Sequence, residues 1–379
     1  MPTPPLTDEQ CLEALEAYER HYKSWKRAAD EIGLSKHGFE HRLKIARKRG
    51  LHLSSGARRA MQGAGVSGTE ARGGWIHNYD EEGKKTGATY WKAPTQDDIE
   101  DIGDKIRSAL DGLPAISVVP APQHVNADLL TVYPIADAHI GMKAWADEAG
   151  EDYDAKIATD RLQSWIAQCV DASPASEQAI ILDVGDLTHA DDHSNMTPAS
   201  KHVLDVDTRH MKTLDMTIVA LSTSIECALR KHDKVTVRIL RGNHNPNAYL
   251  TVMFALSERF RDNPRVTVEK NPDDFFAFEF GQVMICAHHG DKAKADRMVM
   301  RMADAHAEMW GRTLHRFLFT GHLHHHKSQD IGGVQWEQLR AVTVKDAYAA
   351  SHSYSARSQL QAITFHKDNG EISRVKVSA

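Results

Sequence analysis

The sequence predicts an α/β chain preceded by a small all-helical module, on three observations. Five short apolar runs rich in Val, Ile and Phe, at 129–135, 179–184, 235–240, 282–287 and 317–320, stop at polar or Gly residues, as buried strands do. Stretches suited to helices lie around them, at 154–170, 198–231, 247–260 and 292–309, and such alternation marks an α/β domain. The first 52 residues instead carry only helical spacing.

Composition sets the outer bounds. At 379 residues the chain has room for more than one domain, since a domain usually takes about 100–200. A net charge of −6 excludes a globally polycationic nucleic-acid coat, though not a local basic patch. Cys11, Cys169, Cys227 and Cys286 lie far apart with no Cys-x-x-Cys pair, which argues against a thiolate zinc site or a disulfide framework. The start, Met-Pro-Thr-Pro-Pro, lacks the layout of a secretory signal, and no apolar run is long enough to span a bilayer. A reducing cytoplasm is therefore the expected setting, with no membrane partner.

Residues 1–52 read as three helices. Thr7 and Gln10 have the spacing of a capping box, and Leu12, Leu15 and Tyr18 recur at helical intervals. A second helix carries Trp25, Ala28, Ala29 and Ile32. Gly33-Leu34-Ser35 then makes a turn into a third helix bearing Phe39, Leu43 and Ala46. A small Ala29, a turn Gly33 and an apolar Phe39 are placed as in a helix-turn-helix. The third helix also carries Lys36, Arg42, Lys44, Arg47, Lys48 and Arg49 against Glu40 alone, so this module is expected to bind nucleic acid, DNA ahead of RNA. A solvated helix face is the plainer alternative.

Residues 53–125 read as a connecting region. Gly, Ala, Ser and Arg dominate 54–74, as flexible linkers do, with Arg58, Arg59 and Arg72 available for phosphate contacts. A β-hairpin with aromatic ends fits 75–91, a helix fits 96–110, and a Pro-containing stretch closes the region.

The domain at 126–379 holds the chemistry. Each of the five apolar runs is followed by a polar block: Asp137-Ala138-His139, Gly185-Asp186, Gly242-Asn243-His244, His288-His289-Gly290 and Gly321-His322-Leu323-His324. Buried carboxylates and imidazoles are costly unless paired or bound to a metal, so strand ends that gather several of them point to cations. The adjacent His288 and His289 would face opposite sides of a strand, which makes one of them a non-ligand. The polar loop 191–195, after His189, either touches substrate or caps the next helix.

In that order the blocks resemble the calcineurin-like metallophosphoesterase superfamily, over residues 126 to 379. The resemblance implies two facing β-sheets with helices on their outer sides, and hydrolysis of phosphate esters with two divalent ions. Carried over residue by residue, it implies that Asp137, His139 and His324 bind one ion, that Asn243, His289 and His322 bind the other, and that Asp186 is shared. It makes His244 the unligated catalytic histidine and favours His289 over His288. Two cations about 3.5–4 Å apart would clamp the phosphoryl oxygens and acidify a bridging water. Nitrogen and oxygen ligands without sulfur suit manganese first, and iron or zinc.

A dinuclear enzyme joined to a basic helix-turn-helix suggests a phosphodiesterase acting on DNA, and the Asp-x-His-x-Gly and Gly-Asp-Leu pieces are similar to those of repair exonucleases in the superfamily. A phage or prophage origin would suit that pairing. The alternatives are a phosphomonoesterase acting on nucleotides, proteins or nucleic-acid ends, and a DNA-binding regulator with a non-catalytic metal site.

Overall fold

The computed structural model describes residues 6–20, 25–49, 51, 73–79, 85–92, 116, 118–345 and 357–379. The helix expected at 96–110, the Gly-rich stretch with Arg58, Arg59 and Arg72, and the side chains of Arg47 and Lys48 lie outside the described residues. The chain divides into two compact units, Met1–Arg107 and Ser108–Ala379.

In the first unit, α1 (Asp8–Arg20), α2 (Trp25–Glu31) and α3 (Lys36–Lys48) follow one another. The capping box forms in both directions: Thr7 N donates to Gln10 Oε1 at 3.0 Å, and Gln10 N to Thr7 Oγ1 at 3.2 Å. Ser35 Oγ accepts from Gly38 N and caps α3, and Gly33 turns the chain at φ 66°. Ala14, Ala17, Ala28, Ala29, Phe39 and Leu43 form a small core whose alanines let the helices approach closely. Strands β1 (Gly73–Tyr79) and β2 (Lys85–Lys92) pair antiparallel, with Trp75 opposite Tyr90.

The second unit is built on two sheets. One has the order β13-β12-β3-β4-β5-β6, in which β3 (Asn126–Ile135), β4 (Ser176–Asp183), β5 (Lys234–Ile239) and β6 (Val266–Val268) run parallel. The hairpin of β12 (Gln359–His366) and β13 (Gly370–Ser378) joins it antiparallel. The other sheet has the order β10-β11-β9-β8-β7. Its centre is parallel, β8 (Val283–His288), β9 (His315–Thr320) and β11 (Val334–Gln338), and its edges β7 (Phe276–Phe280) and β10 (Lys327–Ile331) are antiparallel.

Side-chain alternation shows how the layers stack. Ile180 and Leu182 of β4 enter the core between the sheets, with Ile285, Phe317, Phe319 and Phe365. Their neighbours Ala179 and Ile181 face outward, against α5 (Ala155–Ala172) and α6 (His210–Leu229). In β8, Val283 and Ile285 point in, while Met284 and Cys286 meet Met298 and Met302 of the helix Ala295–Ala305. Helices thus cover the outer faces of two facing sheets, and strands buried on both faces read as unbroken apolar runs.

Several boundaries differ from expectation. Of the stretch 198–231 only His210–Leu229 is helical, because residues 196–206 instead pair with neighbouring loops at Met196–Val203 and Met142–Val206. The stretch 292–309 breaks at His306, whose ψ of 39° leaves helical geometry. With the short α4 (Ala146–Ala149) and α7 (Ala248–Arg259), the broken halves are α8 (Ala295–Ala305) and α9 (Ala307–Arg312). Ile116 and Val119, within the expected connecting region, pack on the outer core of the second unit. Strands β6, β7, β10 and β11 had no distinct signal; β10, Lys-Ser-Gln-Asp-Ile, is an almost wholly exposed edge. All four cysteines are free and buried. Among the described residues no helix is long and apolar enough to cross a membrane.

Phe319 is 1% exposed in the core between the sheets. Phe319→Ala is expected to destabilise the protein by about 3–5 kcal/mol in urea unfolding. A loss below about 1 kcal/mol would mean that the sheets do not pack through this residue.

Candidate metal centre

All five polar blocks lie at or just beyond the carboxyl ends of parallel strands, β3, β4, β5, β8 and β9. A crevice at such ends is where open α/β sheets bind ligands. The parallel pairing of β3 with β4 carries on past both strands: Asp137 N donates to Gly185 O, His139 N to Asp186 O and Ile140 N to Leu187 O. Two loops therefore run side by side, holding Asp137 and Asp186 in register.

The backbone there is unusual. Seven described non-glycine residues have positive φ, and five of them are Asp137, His139, Asp186, His322 and His324. Left-handed backbone costs a non-glycine residue about 1–2 kcal/mol, and its concentration on these five marks a site held by the surrounding fold. Asp137 and His139, two residues apart, are not on extended chain. At φ 49° and 44° they lie on a tight left-handed path, and still reach one cluster.

Ligand-type atoms converge in two groups, Asp137 with His139 and His324, and Asp186 with His289 and His322. Asp186 stands between them, its Oδ2 at 3.1 Å from His289 Nε2 and 3.9 Å from His139 Nε2. Its Oδ1 accepts from His244 N at 2.8 Å, which fixes the carboxylate plane. His322 N donates to both oxygens of Asp137. Asn243 Oδ1 lies 3.0 Å from His289 Nε2, placing it at the second group. His289 Nδ1 donates to Val184 O, so Nε2 is the nitrogen turned toward the site. His288 lies in the same strand end, where Phe275 and the N–H of Gly290 surround it, and belongs to neither group.

Close packing explains the glycines of the blocks. A Cβ at Gly242 would overlap Oδ1 and the backbone N of Asp186, and one at Gly321 would lie 2.6 Å from Asp137 Oδ2. The carboxylates reach their positions only because these residues have no side chain.

Electrostatics sets the same requirement. Asp137 and Asp186 are at most 1% exposed, and among the described residues neither has a Lys or Arg ion-pair partner. Burial opposes charge on His289, but attraction to Asp186 outweighs it and raises its pKa to about 10. Burial likewise opposes charge on Asp186, and His289 nevertheless pulls its pKa well below the ordinary carboxylate range. Burial, followed by the neighbouring His244, pushes His139 well below the usual imidazole value. Two buried carboxylates among imidazole nitrogens, with Nε2 of His139 and His324 only 3.2 Å apart, form a set of ligand-type groups that fits a pair of divalent cations.

Sequence reasoning missed His189. It is 2% exposed, its Nδ1 lies 3.1 Å from Nδ1 of His139, and burial, with His244 next in effect, depresses its pKa to about 3. His139, His189 and His244 form a third group of ligand-type atoms. His139 takes part through Nδ1, while its Nε2 faces His324 and Asp186, so His189 is an outer partner that orients the ring. Asp191, in the loop expected either to touch substrate or to cap the next helix, does act as a cap, but of another helix. It caps not the helix that follows it but α7, accepting from Asn247 N and Ala248 N and so steadying the Asn243-His244 loop. Of the other histidines in the last block, His325 is exposed and His326 reaches Glu337 at 3.3 Å.

In the first unit, the expected basic surface is partly neutralised. Arg42 Nη1 pairs with Glu13 at 3.0 Å and Arg49 with Asp8 at 2.7 Å, so both turn toward α1, while Lys36 lies 3.9 Å from Glu40 and Lys44 is exposed.

Gly242→Ala is expected to weaken divalent-ion binding by at least about tenfold while leaving the circular dichroism spectrum intact, read as metal content after dialysis. Retention of the wild-type metal content would show that Asp186 does not depend on this close approach.

No protein-family profile matches the chain, and no curated protein sequence matches it. Similar solved structures include a dimetal phosphatase from Danio rerio, at 9% identity over 66% of this chain and 98% of that one, with a TM-score of 0.36. An archaeal phosphodiesterase matches at 12% identity over 66% and 99%, with a TM-score of 0.33. A phosphoesterase-like protein of Streptococcus pneumoniae matches at 10% identity over 67% and 100%, with a TM-score of 0.29.

Proposed function

We propose that the second unit hydrolyses phosphate esters with two divalent cations, manganese first among them, and that its substrate is a phosphodiester of DNA. The position of Asp186 carries the first part: one buried carboxylate stands between two groups of donors, as a shared ligand must. Asp137, His139 and His324 serve one ion, and Asn243, His289 and His322 the other. When bound, such a pair polarises phosphoryl oxygens and acidifies a water molecule.

The chain's own residues do the rest. His244 Nδ1 lies 2.9 Å from the carbonyl of His189, which can only accept, so Nδ1 keeps its proton and Nε2 is the nitrogen available to the reaction. In the cationic ring Nε2 can give a proton to the departing oxygen. The His189 ring stacks on His244 at 5.2 Å and 25°, and its carbonyl and that ring together set the orientation of His244. Support for DNA comes from the first unit, where a Gly33 turn and a Ser35 cap lead into a helix carrying Lys36 and exposed Lys44.

The full chain, stripped with EDTA and reloaded with manganese, is expected to cut bis-p-nitrophenyl phosphate and labelled DNA. His244→Ala should lower kcat by about 10²–10⁴ with metal content retained. Hydrolysis of monoesters alone would replace the diester reading. DNA binding without any metal-dependent hydrolysis would sink the proposal altogether.

A further inference from the structure

Behind the end of β8 lies a cavity of about 610 Å³, lined among others by Asp274, Phe275, His288, Lys292, Arg297 and Arg301. His288 and His289 are consecutive, their Cα atoms about 3.8 Å apart. One faces this cavity and the other the metal centre. Arg241, next to Gly242, binds Asp274 of the cavity lining at 3.4 Å and Asp291, two residues after His289, at 2.9 Å. The segment that carries His289 thus also lines the cavity, through His288.

The lining suits an anion. Asp274 is held by Lys292 at 2.8 Å and by Arg241, and Asp273 by Arg301 at 2.6 Å, so both carboxylates are already neutralised. Arg297 is exposed and has no ion-pair partner among the described residues. His288 is 8% exposed, and its Nδ1 accepts from Gly290 N at 3.0 Å, which puts the ring proton on Nε2. No described group accepts from that Nε2. The first turn of α8, which contributes Arg297, has no side-chain cap. The ring of a largely buried histidine with no acceptor at Nε2 and an unpaired guanidinium from the first turn of α8 thus line one cavity beside the centre.

We infer that this cavity is a subsite for a phosphate group of the nucleic-acid strand, one that flanks the phosphate held at the metal centre. This rests on the phosphodiesterase reading above and adds how a polymer is told from a small ester. Arg297 supplies the charge and His288 an N–H donor. Arg301, stacked 5.3 Å over Phe275, closes the outer side. A small diester fills the centre alone, while a strand engages both.

Two measurements on the full chain test this. With manganese, Arg297→Glu is expected to raise KM for a short oligothymidylate by about tenfold with kcat held, and Arg297→Lys to restore it. With EDTA present, inorganic phosphate should raise the melting temperature of the wild type above a chloride control at equal ionic strength, and not that of Arg297→Glu. Equal KM in wild type and Arg297→Glu, or equal response of both to phosphate, would overturn the subsite. Should no phosphodiester be cut at all, the activity reading fails by itself, and the phosphate response under EDTA still decides the cavity.

Discussion

Two carboxylates, Asp137 and Asp186, are buried at the ends of neighbouring parallel strands without a single Lys or Arg counter-charge among the described residues, and the architecture around them answers to that condition. Unpaired buried charge costs several kcal/mol, so it persists only where something compensates it. Here the compensation is local: backbone N–H groups of His322 and His244, imidazoles from five loops, and a geometry that fits cations. The pKa of Asp183, a third carboxyl buried nearby, is pushed well upward by burial.

The sheets are the frame that makes such a site affordable. Strands buried on both faces cannot shift register without turning core residues outward, so their ends are held in place. The loop hydrogen bonds that extend the β3 and β4 ladder then impose left-handed backbone on Asp137, His139 and Asp186. Asp191 adds a tie from outside by capping α7, so the loop bearing Asn243 and His244 is fixed at both ends. The positions of the ligands thus follow from core packing as much as from the ligands themselves.

In the first unit the same accounting of charge has a different outcome. Six basic residues cluster in and just after α3, but Arg42 and Arg49 spend their charge on α1 and help to hold the small bundle together. Basic residues on a helix serve folding and recognition at once, and spacing alone does not separate the two roles. Among the described side chains of that helix, Lys44 is an exposed cation.

Sequence by itself determined what depends on local pattern: the strand runs, the α5 and α7 helices, the Thr7–Gln10 capping box, and the order of polar blocks in which Asp137, Asp186, His289 and His322 stand. These are legible because period, cap chemistry and ligand type act over a few residues. Tertiary structure alone decided the left-handed backbone at five non-glycine residues, the seat of His189 behind His139, the reach of Asp191 to α7, and the turning of Arg42 and Arg49 inward. Each of these depends on which segments distant in the chain are brought side by side, and that is a property of how the sheets and helices pack.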